Sequence, residues 1–407
     1  MTTDDRAGPR PPFGTGMAEF ALALGGFALG TGEFASMGLL PNIAGELGTS
    51  IPQAGLGISA YALGVVVGAP VIAAAFARAC KRRMLLGLML AFAAANLLTA
   101  AGASFDAFVL ARFAAGLPHG AYFGFAALAA ASMAPPQGRA RAVGRVMLGL
   151  SVANILGVPL ATFIGQALGW HAAFLLVAAT ALATAGLLRL CLRPMPAHAL
   201  ASPLRELDGL RQPLLWLTLG IAAVGNGGLF AVYSYVAPML VQVTGVGERA
   251  VPPFLALIGS GMVVGSLFGG WLADRGVLRA IGLMLVLDML VLAALPLAAP
   301  SPILMGLDLF LLGFAGLALG PALQTRLMDV AGRHAQALAA SLNHSAFNMA
   351  NALGAWLGGV CVAAGLGWTA TGPLGAGLAV GGLLILLLSA RTERRAALQV
   401  GAKVAGD

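Results

Sequence analysis

Several ionisable side chains lie inside long apolar stretches of this 407-residue chain, where they could take up and release protons. These are Glu33, Arg112, His119, Asp288 and Asp308. Ionisable groups in apolar surroundings are costly, and they mark proton- or ion-handling sites by default. Burial raises the pKa of a carboxyl group, and a nearby cation lowers it. A change of surroundings can therefore make such a group bind or release a proton.

Other chemistries lack the residues they need. Cys80, Cys191 and Cys361 have no metal-ligand spacing and are interpreted as small apolar packing residues. The sequence has no Gly-x-Ser-x-Gly pattern and no phosphate-cradling glycine loop. An intramembrane enzyme is therefore only a remote alternative, and no cofactor or metal is predicted.

Composition indicates a membrane protein. Hydrophobic residues make up 59% of the chain, charged residues only 9%, and the mean hydropathy is +0.91. A membrane-spanning helix needs about 20 apolar residues. Twelve such runs are predicted, at 17–43, 52–77, 84–103, 106–132, 142–165, 172–191, 213–240, 252–273, 280–299, 302–328, 336–364 and 370–390. The predicted fold class is an all-α membrane protein of twelve transmembrane helices in two pseudo-symmetric six-helix halves.

The basic residues predict the orientation. Nearly all of the 23 lysines and arginines fall in the two tails and in alternate connections between runs. By the positive-inside rule, the N-tail (1–16), the linker (192–212) and the C-tail (391–407) are cytoplasmic. The linker separates an N-terminal bundle (17–191) from a C-terminal bundle (213–390). Because the charge is spread over these segments, it does not indicate nucleic-acid binding; a bacterial-type inner (plasma) membrane is expected.

The two bundles repeat each other at a constant offset of 197 residues. Six helices is an even number, so both copies face the same way and form a parallel repeat. The coinciding positions include Pro41 with Pro238, Gly68 with Gly265, Arg78 with Arg275, Arg82 with Arg279, Asn154 with Asn351, and Gly157 with Gly354.

Short motifs resemble those of the major facilitator superfamily. The segment 269–275, Gly-Gly-Trp-Leu-Ala-Asp-Arg, is similar to the family's loop motif, and Arg112 to Gly120 resembles its helix-four arginine motif. After helix two the loop motif keeps Arg78 but has Ala77 where the family has aspartate. The resemblance implies a charge relay that holds a cytoplasmic gate, carried here by Arg78, Asp274 and Arg275. A loosened helix-five antiporter motif adds gating residues at Gly149, Asn154, Gly157 and Pro159.

Further segments resemble the sugar- and drug-efflux subgroup of that superfamily. They are Gly30 to Phe34 with Gly38 to Pro41, Tyr233 to Pro238, and Asn343 to Asn348. The resemblance implies proton-driven export of a small organic molecule by a monomer. A proton-independent facilitator or an importer with the same fold is the alternative.

Glu33 is the leading candidate for proton coupling. It lies about 15 Å, and Arg112 about 12 Å, inside the outer ends of helices one and four. We expect Glu33 to carry the proton and Arg112 to tune it; a static ion pair that only fixes packing is the other interpretation.

The remaining polar residues have open assignments. His119 is either a proton relay or a neutral histidine at the bend beside Pro118. His344, Asn348 and Asn351 share one face of helix eleven and serve either substrate binding or, as we favour, helix–helix contact. Further candidates are Asn226, Tyr233 and Tyr235 for the substrate, and Asp308 for the substrate or the proton. Asp288 lies in helix nine, which the resemblance places at the periphery, and no role follows for it.

Overall fold

The computed structural model describes residues 14–76, 79–135, 138–193, 195, 212–331 and 336–404. These residues form helices, turns and short connections, and twelve long helical segments cross the molecule. The segments are α1 (Thr15–Gly38), α2 (Leu56–Ala75), α3 (Lys81–Ala100), α4 (Phe105–Met133), α5 (Arg139–Val152, Ala153–Gly157 and Val158–Leu168), α6 (Trp170–Cys191), α7 (Pro213–Gly225, Gly227–Ser234 and Val236–Gln242), α8 (Val251–Ala273), α9 (Val277–Ala298), α10 (Pro302–Ala331), α11 (Gln336–Ala363) and α12 (Thr371–Val404).

Eleven of these segments are long and apolar enough to span a membrane. The twelfth, α4, has 29 residues and carries Arg112 and His119, which lower its hydropathy. Twelve passes bring the start of α1 and the end of α12 to the same side, called here the terminal side. The α12 helix continues beyond residue 390, the predicted end of the bundle, to Val404.

Three of the segments are interrupted, and the interruptions of α1 and α5 lie beside prolines. The α1 helix ends at Gly38, and a short helix, Leu40–Glu46, follows with Pro41 near its start. In α5 the residues Ala153–Gly157 form a π turn directly before Pro159, closed by a bond from the Val158 amide to the Ala153 carbonyl. A proline lacks the amide hydrogen that a regular helix needs, and such π turns accommodate the change. The α7 segment is interrupted at Asn226 and Tyr235.

Glycines set the closest contacts between helices, and they follow the sequence repeat. A Cβ atom added at Gly68 of α2 would lie 2.1 Å from the Leu117 carbonyl oxygen of α4. One added at Gly265 of α8 would lie 2.1 Å from the Phe314 carbonyl oxygen of α10. Gly265 lies 197 residues after Gly68, and Phe314 lies 197 residues after Leu117. Backbones approach this closely only where no side chain intervenes, so the α2–α4 and α8–α10 contacts are two copies of one contact.

The other helix contacts also occur twice. The pairs α1–α5, α1–α6, α3–α4 and α3–α6 have counterparts in α7–α11, α7–α12, α9–α10 and α9–α12. The two halves meet mainly through α2 with α11 and through α5 with α8. The predicted class, an all-α fold of two pseudo-symmetric six-helix halves, is confirmed. Most of the predicted N-tail and linker lies outside the described residues.

Candidate functional site

The Glu33 carboxylate lies where the two halves meet. It is buried in α1, with 6% of its surface exposed. The Asn351 side-chain amide of α11 donates a hydrogen bond to Glu33 Oε1 at 3.3 Å. His119 Nε2 of α4 lies 3.8 Å from Glu33 Oε2. One carboxylate therefore contacts a polar group from each half.

His119 is oriented by a tyrosine from a third helix. The Tyr61 hydroxyl of α2 lies 2.8 Å from His119 Nδ1. If that hydroxyl donates, the Nε2 atom carries the ring hydrogen and faces the Glu33 carboxylate. Both side chains are almost completely buried. The three residues form a chain of polar contacts from α2 through α4 to α1.

Arg112 bonds to the α1 backbone at the level of Glu33. Its guanidinium donates to the carbonyl oxygens of Gly32 at 2.9 Å and Glu33 at 3.3 Å. It also lies over the Tyr61 ring at 4.3 Å and the Phe174 ring at 5.3 Å. Within the described part of the chain Arg112 forms no ion pair with the Glu33 carboxylate. Its positive charge acts on Glu33 through space, while its bonds fix the α1 backbone.

Aromatic rings lie beside Glu33 on both sides of the contact between the halves. Phe34 of α1 stacks on Tyr233 of α7 with ring centres 5.5 Å apart. Phe123 of α4 stacks on His344 of α11 at 5.4 Å. The Tyr233 hydroxyl is buried and has no hydrogen-bond partner among the described residues. These rings and that hydroxyl could contact a small organic molecule between the halves.

The other predicted substrate and proton residues form no hydrogen bond or ion pair with Glu33 among the described residues. Asn348 donates to the His344 carbonyl of its own helix, and Tyr235 donates to the Ala355 carbonyl. Asn226 is fully buried within the C-terminal half. Asp308 of α10 is also buried, and its Oδ2 atom has no partner among the described residues.

The hydrogen bonds that join the halves lie at the Glu33 level or nearer the side opposite the termini. Ser59 of α2 donates to the Ala352 carbonyl of α11, next to Asn351. Gln166 at the end of α5 donates to the Glu248 carbonyl in the α7–α8 connection. Among the described residues no hydrogen bond joins the halves on the terminal side. The structure is thus closed on the opposite side.

A cleft opens on the terminal side between α1 and α5. Its volume is about 820 Å³, and its lining is mostly apolar. Phe20 and Phe27 line it, and they share a helix face with Phe34, which contacts the other half. The ion pair between Arg145 and Glu19, 2.6 Å at its closest, lies at its margin. The cleft therefore faces the space between the halves.

The helix-five motif residues lie in close backbone contacts. A Cβ added at Gly149 would lie 1.9 Å from the Ala23 carbonyl of α1, and one at Gly157 2.1 Å from the Thr31 hydroxyl. The Asn154 carbonyl lies against Gly259 of α8. Since Pro159 follows the π turn, this motif determines how α5 packs against α1 and against the other half.

The loop-motif residues are less connected. Arg78 lies outside the described residues. Asp274 is exposed and forms no ion pair with any described residue. The Arg275 guanidinium lies 3.5 Å from the centre of the Trp271 ring and donates to the Trp271 carbonyl.

Three residues of the Glu33 site were not singled out for it from sequence. Tyr61 and Phe34 had no assignment, and Asn351 was interpreted as a helix–helix contact. The chain has only four tyrosines, all in apolar runs, and all four are buried. A hydroxyl in an apolar run usually has a partner, and this signal could have marked Tyr61.

Comparisons with known proteins agree with this architecture. The family profile described as Major Facilitator Superfamily matches residues 22–343 and 255–405. "Inner membrane transport protein YdhP" of Escherichia coli (strain K12) is 39% identical, covering 92% of this chain and 96% of its own. A "Chloramphenicol resistance protein" of Streptomyces lividans is 35% identical, with the same coverage.

A solved structure has the same fold. It is a bacterial homolog of the human lysosomal transporter Spinster in an inward-facing, occupied conformation. The TM-score is 0.72 at 19% identity, and the match covers 92% of this chain and 96% of that one.

Twelve helices in two repeated halves, with a polar site between them, define a secondary transporter. The chain belongs to the major facilitator superfamily and is a membrane transporter of small solutes, not an enzyme.

Proposed function

We propose that this protein exports a small organic molecule in exchange for protons, by alternating access. The proposal rests on the position of Glu33, a buried carboxylate that accepts a hydrogen bond from Asn351 of the other half and lies beside His119. A hydrogen bond to a charged carboxylate is roughly twice as strong as one to a neutral group. Protonation of Glu33 therefore changes the contact between α1 and α11. The movement of the halves and the movement of the proton are linked through that contact.

Arg112 and His119 act on Glu33 in this proposal. Arg112 holds the α1 backbone and supplies a positive charge, and His119 passes protons to or from the carboxylate. Asp308 is a second carboxyl for the substrate or the proton on α10. Asp274, Arg275 and Arg78, with the α5 motif from Gly149 onward, are proposed to control the gate on the terminal side.

The proposed substrate site lies between the rings of Phe34 and Tyr233 and the His344 and Asn348 region of α11. Aromatic faces with one carboxylate and a few amides suit a neutral or cationic amphiphile, and a sugar or nucleoside also fits. The chloramphenicol-resistance relative supports including that antibiotic among the first compounds. Tyr235, bonded to α11, shapes this region from the opposite side.

The proposed direction of transport follows from the predicted orientation of the protein in the membrane. The basic residues predict that the terminal side is cytoplasmic, so the cleft between α1 and α5 would open to the cytoplasm of a bacterial-type cell. An apolar cleft there collects amphiphilic molecules from inside. The functional unit is proposed to be a monomer, because each chain contains both halves and the site between them.

The test uses everted membrane vesicles from cells that express the protein, with a panel of amphiphilic drugs, sugars and nucleosides. Substrate-induced proton release is expected, and Glu33→Gln is expected to abolish it. If solute moves without a proton gradient and Glu33→Gln behaves as the natural protein, the chain is a facilitator and Glu33 is structural.

A further inference from the structure

A second buried carboxyl group lies in the C-terminal half, away from Glu33. Asp288 of α9 is fully buried, and neither of its carboxyl oxygens has a hydrogen-bond partner among the described residues. Asn226 of α7 is also fully buried, and its side-chain nitrogen and oxygen are likewise unpartnered there. Buried polar atoms are nearly always bonded, so such atoms indicate an unseen water or ion.

Asp288 and Asn226 lie at the same level of the bundle. Leu285 and Leu292 flank Asp288 on the same face of α9. A Cβ added at Gly225 would lie 2.8 Å from the Leu285 side chain, and one at Gly228 2.5 Å from the Leu292 side chain. Gly225 and Gly228 bracket Asn226 on α7. The stretch of α9 that carries Asp288 therefore packs directly on the interruption of α7.

The third wall is α10, at Gly316. The Asn226 side-chain oxygen lies 3.2 Å from where a Cβ of Gly316 would be. Asp288 is among the buried residues of α9, which packs mainly on α10 and α12 and touches α7 on either side of Asn226. Because Gly316 has no side chain, α10 approaches Asn226 closely at this point. The two unpartnered groups thus lie where α7, α9 and α10 meet.

No positive side chain of the described residues lies at this junction of α7, α9 and α10. The α7 and α8 segments carry no acidic or basic residue along their length. The ionisable side chains of the packed helices lie about 9 Å or more along the bundle: Tyr233 and Tyr235 on α7, Arg279 on α9, Asp308, Arg326 and Asp329 on α10, His344 and Cys361 on α11, and Arg391 and Glu393 on α12. Arg326 is already bonded to Glu393 at 2.9 Å. An isolated carboxylate is very costly in such surroundings, so Asp288 needs a neutralising partner.

We propose that Asp288 and Asn226 form a binding site for a small monovalent cation, Na⁺ or H⁺, separate from Glu33. A sodium ion would be held by the Asp288 carboxylate, the Asn226 side-chain oxygen and backbone carbonyls. The interruption of α7 at Asn226 supplies such carbonyls, because the end of a helix leaves them without helical partners. A proton would be bound to Asp288, and the protonated carboxyl would donate a hydrogen bond to the Asn226 side-chain oxygen. Either cation neutralises the carboxylate and holds the α7 interruption against α9.

This assignment gives Asn226 a role inside the C-terminal half instead of contact with the substrate. It does not depend on proton-coupled export, since the site would bind a cation whatever the direction of transport. A water molecule alone could bridge the two side chains, but it would leave the charge of the carboxylate uncompensated.

The experiment measures the thermal unfolding of the purified full-length protein in detergent. The Tm is recorded in sodium chloride and in N-methylglucamine chloride at equal ionic strength, each across a range of pH. A Glu33→Gln, Asp308→Asn background removes the contributions of two other buried carboxyl groups, on α1 and α10. A sodium site predicts a rise in Tm with sodium that Asp288→Asn abolishes. A proton site predicts a Tm that is insensitive to sodium and decreases as the pH rises above about 4, the ordinary carboxyl pKa, and Asp288→Asn removes that decrease.

Two further variants make the outcome decisive. Asn226→Ala is expected to weaken the same dependence, and it serves as the test if Asp288→Asn does not fold. Asp329→Asn removes an exposed carboxyl of the same half and is expected to behave as its parent. If Asp288→Asn and Asn226→Ala both keep the sodium and pH dependence of the parent, the proposal is overturned.

Discussion

At the scale of single residues, the Tyr61 hydroxyl determines how His119 faces Glu33. Tyr61→Phe removes only that hydroxyl and its 2.8 Å contact with Nδ1. The loss of one hydrogen bond costs about 1 kcal/mol, and the imidazole is then free to change its tautomer. We expect proton-driven transport to fall roughly three- to tenfold and its pH profile to change, while the protein folds normally. Initial rates in vesicles across a pH series measure both effects.

Tyr122→Phe is the matched control for that variant. The Tyr122 hydroxyl is equally buried and donates to the Leu22 carbonyl within the N-terminal half, away from Glu33. We expect the Tyr122 variant to keep the natural pH profile. If the two variants change transport alike, the effect of Tyr61 is on packing and not on His119.

Asn351 makes the one side-chain bond from the C-terminal half to the Glu33 carboxylate that the described residues contain. Asn351→Ala is expected to weaken the contact between the halves and to shift the protein toward forms open on the opposite side. The shift is measured in a background without the three native cysteines, as faster labelling of a cysteine placed at Ala352, whose backbone carbonyl still accepts the Ser59 bond. Asn348→Ala removes a side chain that bonds only within α11, and equal labelling of both variants would refute the assigned role.

Sequence could supply Glu33, Arg112 and His119, because charge inside an apolar run is visible without a structure. It could not supply the partners. Glu33 and Asn351 are 318 residues apart in the chain, and only the docking of the two halves brings them together. Arg112 shows the same limit, since residue counting matched its depth to Glu33 but could not show that it binds the backbone.

At the scale of helices, glycine contacts hold each half together. Gly68→Val would place a side chain where α2 meets the Leu117 carbonyl, and overpacking of this kind costs about 1–3 kcal/mol or more. We expect a lower Tm and weaker expression. Gly265→Val, the repeat counterpart, is expected to behave alike. Gly87→Val on α3 is the control, because no atom lies within 4 Å of its Cβ position.

The sequence repeat predicted these glycine contacts better than it predicted the helix interruptions. A constant offset aligns Gly68 with Gly265 whatever the local geometry. The π turn before Pro159 and the interruption of α7 at Asn226 were not predicted, because hydropathy does not show how a helix satisfies its backbone hydrogen bonds. Both interruptions lie beside residues of the proposed sites, and irregular turns within helices are frequent at functional sites.

At the scale of the whole molecule, composition predicted a membrane protein, and the apolar runs along the chain predicted twelve helices. The conformation could not be predicted, because every state of an alternating-access protein has the same sequence. The positions of the inter-half bonds show the state: the Gln166 and Ser59 bonds close the side opposite the termini. Opening that side must break these bonds.

Holding those bonds permanently should therefore stop transport. In a variant whose three native cysteines are replaced, Gln166→Cys and Glu248→Cys would be joined by a short bifunctional thiol reagent, because Gln166 bonds to the Glu248 backbone across the two halves. We expect transport to be lost on cross-linking. Substrate binding from the terminal side should persist, since the cleft between α1 and α5 stays open. Vesicle transport and equilibrium binding of a radiolabelled substrate measure the two properties separately.

The control cross-link lies on the same side of the molecule but within one half. Glu46 and His171 contact each other at 2.5 Å, and both belong to the N-terminal half. Joining cysteines at those positions constrains the same surface without tying the halves together, so transport should continue. Loss of transport in both cross-linked variants would mean that cross-linking this surface stops transport whether or not the halves are joined, and the gating role of the Gln166–Glu248 bond would lose its support. Continued transport in the Gln166–Glu248 variant would mean that these bonds are not part of the closed gate.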